Sequence, residues 1–119
     1  VGERRLIEFC RKYGKERVII LVDEADIAVA ITGPFSFEVA PRERVSVHPL
    51  LGLRFKRSVG LKYPLDGVRL APGERTGTSN EATTGPFRIE PEGRQRPWLL
   101  VLDRKYLFGV AAAATAMAG

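Results

Sequence analysis

The sequence predicts a mainly β protein, an antiparallel β-sandwich of the jelly-roll type preceded by one helix and one strand. Apolar and polar residues alternate through most of the chain, as they do in strands with one buried face. Glycine and proline recur at short intervals between these stretches, which keeps each strand short and favours a sandwich over a parallel sheet. A length of 119 residues with 45% apolar and 28% charged residues fits a single globular core.

The chain begins with a predicted helix and a predicted strand. Apolar positions between Leu6 and Tyr13 share one helical face, and Gly14 follows where a helix cap favours glycine. Cys10 lies on that face, so we interpret it as a buried thiol and not as a nucleophile. The aliphatic run at residues 18–22 predicts a strand buried on both faces.

A polar turn and a second strand come next. Residues 23–26 carry three carboxylates, and Ile27 to Ile31 return to apolar residues, so we expect a hairpin. The carboxylates could form a metal loop, but aspartate is common in turns because it bonds to nearby backbone N–H groups. We therefore interpret this segment as an acidic turn.

In the later predicted strands, from Phe35 onward, apolar and polar residues alternate with a period of two. His48 falls on the outward side of its strand, where a solvated side chain is expected. The inward positions predicted from the alternation are Phe35, Phe37, Val39, Val45, Val47, Pro49, Leu51, Leu53, Phe55, Phe87, Ile89 and the closing run Trp98 to Leu102.

Composition excludes several classes of site. One cysteine and one histidine rule out an internal disulfide, a multi-cysteine zinc site and a site with two histidine ligands. The formal net charge of +5 permits an anionic partner, but the basic residues are scattered among acidic ones instead of forming a stripe. The alanine-rich end, from Tyr106 to Gly119, is too short to cross a bilayer and predicts a docking helix, a helical oligomer contact or a disordered tail. We therefore expect neither nucleic acid nor membrane as a partner.

Two segments carry polar chemistry. The stretch from Gly73 to Glu81 predicts a loop, and its hydroxyl and amide groups at Thr78, Ser79 and Asn80 could read the polar edge of a heterocycle. It lacks the Lys-Ser/Thr ending of a phosphate loop. In the second segment, alternation places Tyr63 on the same face as two leucines, while the proline after it favours an edge strand or a bend in which the ring could line a pocket.

These segments resemble the C-terminal half of thiamin pyrophosphokinases. Gly60-Leu61-Lys62-Tyr63-Pro64-Leu65 is similar to that family's Gly-Leu-Lys-(Trp/Tyr)-x-Leu strand, and Thr78-Ser79-Asn80-Glu81 is similar to its Ser-Asn loop. Further similarities lie in Val45-Ser46-Val47-His48-Pro49-Leu50, in Leu21-Val22-Asp23-Glu24 and in Trp98 to Leu102. The resemblance covers most of residues 6–103.

The resemblance implies a division of the chain and a set of binding residues. Residues 1–32 would be the end of an α/β nucleotide-binding domain, 33–103 a thiamin-binding sandwich, and 104–119 an alanine-rich tail. Tyr63 would pack on thiamin, and Ser79, Asn80 and Thr78 would bond near its aminopyrimidine. From its position in the loop, Arg75 is a candidate for a phosphate contact.

The resemblance also implies an activity, the transfer of diphosphate from ATP to thiamin to give thiamin diphosphate and AMP. The family's Asp-rich and Gly-rich motif for ATP and Mg²⁺ is absent from this sequence, so no catalytic or metal residue is assigned to it and the chain alone is expected to be inactive. The implied parent enzyme is a cytoplasmic homodimer with its site at the subunit contact.

Three alternatives stay open at this stage. The acceptor could be another heterocycle, such as a hydroxymethylpterin. The chain could be a β-barrel that binds nucleic acid, although its aromatic residues alternate with aliphatic ones as core residues do. It could also be a non-catalytic binding or assembly module, in which Tyr63 and Ser79 have only structural roles.

Overall fold

A computed structural model describes residues 19–73, 78–93 and 96–118 of the chain. In these ranges nine strands and one α-helix are present. The strands are β1 (Ile20–Val22), β2 (Asp26–Thr32), β3 (Phe35–Phe37), β4 (Arg44–Pro49), β5 (Leu53–Val59), β6 (Arg69–Leu70), β7 (Thr78–Glu81), β8 (Phe87–Pro91) and β9 (Pro97–Asp103). A short 3₁₀ turn (Arg104–Tyr106) leads into helix α1 (Leu107–Ala118).

The strands form two sheets whose inner faces enclose the core. One sheet has the order β1-β2-β9-β4-β7 and the other the order β3-β8-β5-β6, with antiparallel pairing throughout the described residues. The fold is therefore the mainly β, antiparallel sandwich that the alternation predicted.

Large side chains from both sheets meet in the core. The rings of Phe55 on β5 and Trp98 on β9 pack edge to face with centroids 5.8 Å apart, a favourable geometry for aromatic pairs. The indole N–H of Trp98 donates to the carbonyl of Gly33 at 3.1 Å, so the buried donor is satisfied. Of the predicted inward positions, those buried are Phe35, Val39, Val45, Val47, Pro49, Leu53, Phe55, Phe87, Ile89, Trp98, Leu100 and Leu102.

The predicted hairpin between β1 and β2 is present. The Asp23 carboxylate accepts hydrogen bonds from the N–H groups of Ala25 and Asp26 at 3.0 and 2.8 Å, and the Asp26 bond is the main reason that the pKa of Asp23 is lowered. These contacts are those of an acidic turn. The predicted helix upstream and Cys10 lie outside the described residues.

The prediction that the first strand is buried on both faces is wrong. β1 is the last strand of its sheet in the described part of the chain and pairs only with β2. Leu21 and Val22 are 45% and 48% exposed. An aliphatic run indicates that a strand is apolar, but it cannot show that a second strand or layer covers it.

The predicted boundary at residue 32 falls between strands of one sandwich. β2 pairs with β9 along its whole length, from Asp26 opposite Asp103 to Thr32 opposite Pro97. Ile27, Val29 and Ile31 on β2 belong to the main core. Residues 20–32 are therefore part of the sandwich, and the assignment of residues before 19 to another domain stays a prediction.

Helix α1 docks on the sandwich, which is one of the three outcomes expected for the alanine-rich end. Val110 and Ala114 are buried in the main core. The Tyr106 hydroxyl accepts a hydrogen bond from the N–H of Ala40 at 3.0 Å, and its ring packs edge to face on Phe37. No helix in the described ranges is long and apolar enough to span a membrane.

Candidate functional site

The segment that holds Tyr63 begins with a sharp turn at Gly60, directly after β5. Gly60 has φ +79°, a conformation that favours glycine. A Cβ at this position would lie 2.5 Å from the carbonyl oxygen of Pro86 and 2.8 Å from the Cα of Phe87. Only glycine fits here, because both obstacles are backbone atoms.

The turned segment crosses from one sheet to the other. Leu61 forms an isolated antiparallel bridge with Ala82, which follows β7. The N–H of Lys62 donates to the carbonyl of Glu81, and the N–H of Thr83 donates to the carbonyl of Gly60, both at 2.9 Å. The end of β5 is thereby tied to the end of β7, so the two motifs that carry the sequence resemblance lie side by side.

Asn80 fixes the backbone at Tyr63. Its side chain is 1% exposed and faces the core from β7. Its Oδ1 accepts from the N–H of Tyr63 at 3.0 Å and from the N–H of Glu81 at 2.9 Å, and its Nδ2 donates to the carbonyl of Tyr63 at 2.6 Å. A buried amide with this set of partners is satisfied inside the protein.

Tyr63 itself is exposed, and its predicted place beside two leucines is wrong. Leu61 and Leu65 are 7% and 1% exposed, whereas Tyr63 is 54% exposed. Residues 62 and 63 form a bend, so the period of two does not continue through them. The proline signal was correct on this point: the segment is a bend, and the ring is exposed.

Ser79 and Thr78 lie on a strand and not in the predicted loop. β7 pairs with β4, where Ser46 is opposite Ser79 and Val47 is opposite Thr78. Ser79 is exposed on the face of β7 opposite to Asn80. All four residues of β7 are polar, so no alternation of apolar and polar residues distinguishes this strand from a loop. Arg75 lies outside the described residues, so its phosphate contact stays a prediction.

A charged pair flanks the bend, and sequence reasoning assigned it no role. Lys62 Nζ lies 3.2 Å from a carboxylate oxygen of Glu81 and 5.4 Å from the centroid of the Tyr63 ring. The hydrogen bond with Glu81 raises the pKa of Lys62. Lys62 and Glu81 belong to the two motifs that resemble the family, Lys62 next to Tyr63 and Glu81 next to Asn80. This position in the motifs was the sequence signal that could have identified the pair.

The site is thus an exposed aromatic ring on a hydrogen-bonded bend, bordered by the ion pair of Lys62 with Glu81. A ring of this kind can pack on a flat or cationic ligand. No group of three or more His, Cys, Asp or Glu side chains that could hold a metal ion occurs in residues 19–73, 78–93 and 96–118. His48 is exposed on β4, as expected.

Several solved proteins are similar in structure to this chain. No family model matches the sequence, and no curated protein matches it. The structure is similar to thiamin pyrophosphokinase from Geobacillus thermodenitrificans, with a TM-score of 0.65 and 20% identity over 84% of this chain and 46% of that chain. It is also similar to thiamine pyrophosphokinase from Bacillus subtilis, with a TM-score of 0.66 and 17% identity over 86% of this chain and 47% of that chain.

A third similar structure is a protein from Lactobacillus plantarum, with a TM-score of 0.59 and 17% identity over 79% of this chain and 45% of that chain. The chain spans less than half the length of each of these structures. The resemblance noted in the sequence is confirmed at the level of fold: the chain has the fold of one part of the thiamin pyrophosphokinase structures.

Proposed function

We propose that this chain is the substrate-binding part of an enzyme like the thiamin pyrophosphokinases, and that its ligand is thiamin. The observation that carries the proposal is the junction of the bend at Tyr63 with β7. Two motifs that resemble the family are tied together there by the Asn80 amide. The similarity of fold to two thiamin pyrophosphokinase structures supports the same conclusion.

Each residue has a distinct role in this proposal. The exposed ring of Tyr63 packs on thiamin, whose positive charge makes an electron-rich aromatic face a suitable neighbour. Ser79 donates or accepts a hydrogen bond near the aminopyrimidine, and Thr78 adds polar contacts from the same strand. Asn80 contributes indirectly, because it holds the backbone of Tyr63 in place.

The reaction of the parent enzyme would be transfer of diphosphate from ATP to the thiamin hydroxyl, with AMP as the second product. Such transfer depends on positioning and on neutralising phosphate charge. The described residues offer no fitting set of ligands for Mg²⁺, so ATP and Mg²⁺ would be held by residues other than these. A homodimer and a cytoplasmic location belong to the same proposal.

The proposal is tested by calorimetric titration of the chain with thiamin and, separately, with a hydroxymethylpterin. We expect thiamin to bind the more tightly of the two. Tyr63→Ala should weaken thiamin binding about tenfold, since base–aromatic stacking contributes about 1–3 kcal/mol. Ser79→Ala should weaken it less, by the loss of one hydrogen bond.

Matched controls separate ligand contacts from general effects. Phe108→Ala removes another aromatic ring, 85% exposed and on helix α1, and should leave the affinity unchanged. Thr84→Ala removes an exposed hydroxyl outside β7 and is the control for Ser79. Tighter binding of the pterin would contradict thiamin as the ligand and would favour a hydroxymethylpterin instead. Unchanged affinity in Tyr63→Ala and Ser79→Ala would favour a structural role for both residues.

A further inference from the structure

The ammonium group of Lys62 lies between the Tyr63 ring and the Glu81 carboxylate. Its Nζ is 3.2 Å from a carboxylate oxygen of Glu81 and 5.4 Å from the centroid of the Tyr63 ring. At the first distance a cation forms an ion pair, and at the second it is attracted to an aromatic face. The ammonium group therefore marks a position at which one positive charge interacts with both the ring and the carboxylate.

All three side chains at this position are accessible to a ligand. Tyr63 is 54% exposed, and the side chains of Lys62 and Glu81 are 55% and 43% exposed. An ion pair as exposed as this one contributes little free energy, because water solvates both charges when they separate. A ligand with a positive charge can therefore compete with the lysine for the ring and the carboxylate.

Release of the ammonium group requires movement of the Lys62 side chain alone. The backbone of the bend is held by other groups: the N–H of Lys62 donates to the carbonyl of Glu81 at 2.9 Å, and the Asn80 amide bonds to the backbone of Tyr63. The four-carbon stem of lysine is flexible. The ammonium can thus leave the ring while the hydrogen bonds of the bend stay in place.

A second lysine of the chain lies over the ring of the tyrosine that follows it. Lys105 Nζ is 5.4 Å from the centroid of the Tyr106 ring and pairs with Glu43. That ring, however, is partly buried and packs edge to face on Phe37. The arrangement of lysine, tyrosine and glutamate is therefore not a ligand site by itself. The exposed ring distinguishes the bend at Tyr63, and the second set provides a matched control.

We propose that Glu81 selects a cationic ligand and that Lys62 occupies the position of the ligand's charge in the free protein. This inference rests on the proposed function, since it concerns the same surface. On binding, the thiazolium ring of thiamin replaces the ammonium group beside Glu81 and over Tyr63, and the Lys62 side chain turns to solvent. A neutral heterocycle cannot replace the ammonium as the partner of the carboxylate, so the pair disfavours it.

The role of Lys62 is tested by calorimetric titration of the full chain with thiamin at constant ionic strength. Lys62→Met keeps most of the aliphatic side chain and removes the competing charge, so we expect it to bind thiamin about fivefold more tightly than the parent chain. Lys105→Met removes the same charge elsewhere and should leave the affinity unchanged. Unchanged or weaker binding in Lys62→Met, or equal tightening in both variants, would overturn the inference.

The role of Glu81 is tested in the Lys62→Met background. In the parent chain Glu81→Gln removes the partner of the ligand and also the partner of the competing lysine, so the two effects offset each other. In the Lys62→Met background only the first effect remains, and we expect Glu81→Gln to weaken thiamin binding about fivefold. Circular dichroism checks that each variant is folded. No effect of Glu81→Gln in this background would show that the carboxylate does not contact the ligand's charge.

A neutral ligand gives a further readout. A thiamin analogue with an uncharged thiophene ring in place of the thiazolium should bind the parent chain, Lys62→Met and the double variant with equal affinity. Tightening of this analogue by Lys62→Met equal to that of thiamin would contradict selection by charge.

The same titrations separate this inference from the proposed function. Thiamin binding by the parent chain without tightening in Lys62→Met would overturn the inference and leave the proposed function standing. Binding by Lys62→Met alone would support the role of Lys62 and contradict thiamin as the ligand of the parent chain. Absence of binding by both chains up to millimolar thiamin would overturn both.

Discussion

Asn80 illustrates how one buried side chain can shape an exposed site. The resemblance implied that this amide contacts the ligand, and that role stays a prediction. In the structure its oxygen and nitrogen bond to the backbone of Tyr63 and Glu81 from a position that is 1% exposed. The contacts that the structure shows for Asn80 therefore position the bend that presents Tyr63.

Replacing Asn80 with alanine should both destabilise the protein and weaken ligand binding. The substitution leaves the N–H and carbonyl of Tyr63 without their partner, which we expect to cost about 1–3 kcal/mol in the free energy of unfolding. Urea denaturation measures this cost. Ser79→Ala, on the exposed face of the same strand, should change it by less than about 0.5 kcal/mol. Equal effects of the two substitutions would contradict the role given to Asn80.

Gly60 should tolerate no side chain. Gly60→Ala combines an unfavourable φ of +79° with a Cβ 2.5 Å from the Pro86 oxygen, so we expect a loss of more than about 2 kcal/mol in stability, measured by urea denaturation. Gly67→Ala is the control, since Gly67 has φ +73° but no atom within 4 Å of the point that a Cβ would occupy. Its substitution should cost only the backbone strain, and equal losses in the two variants would show that the contact with Pro86 is unimportant.

Glu90 should make stability depend on pH in the acidic range. Hydrogen bonds from Arg88, and then from Arg57, lower the pKa of Glu90 below its ordinary value of 4.5. A lowered pKa means that the ionised form stabilises the fold above pH 4.5 and that this contribution is lost as the pH falls below it. Glu90→Gln should reduce the fall in melting temperature with acid, whereas Glu38→Gln, exposed after β3, should not. An unchanged profile in Glu90→Gln would contradict the assignment.

Among the elements, helix α1 is attached by a few contacts on one side. Val110 is fully buried, and Phe108, two residues earlier, is 85% exposed. Val110→Ala should lower the free energy of unfolding by about 2 kcal/mol, because it removes buried methyl groups and leaves a cavity. Phe108→Ala should change it by less than about 0.5 kcal/mol. If both variants had the stability of the parent chain, the helix would not be docked in solution.

The strands could largely be predicted from the sequence because their alternation reflects burial on one face. Phe55, Phe87 and Ile89 are fully buried, as this pattern indicates. Where the expectation failed, the cause was the pairing of the strand with its neighbours in the sheet, which the sequence pattern does not contain. Within the described residues β1 pairs with β2 alone and is exposed, and β7 is a strand because β4 pairs with it.

The candidate site was harder to predict because hydrogen bonds between distant segments create it. Asn80 and Tyr63 are 17 residues apart, and their contact breaks the alternation that had placed Tyr63 in the core. The motifs pointed to these two segments through resemblance. They could not indicate that the amide faces inward and the ring outward, since this depends on the path of the chain between the two sheets.

Across the molecule as a whole, the crossing of the chain between the two sheets places the Tyr63 bend at the end of β5 that lies next to β7. The bend depends on the sandwich, whose core holds β5 against β9 through the contact of Phe55 with Trp98.

Binding of thiamin by the surface around Tyr63 can be measured by an NMR titration of the chain with thiamin. We expect saturable changes in the amide signals of Tyr63, Ser79 and Glu81, with the signals of Gly52 and Gly93 unchanged. Absence of saturable change up to millimolar thiamin, or changes confined to residues away from the bend and β7, would show that this surface is not a thiamin site.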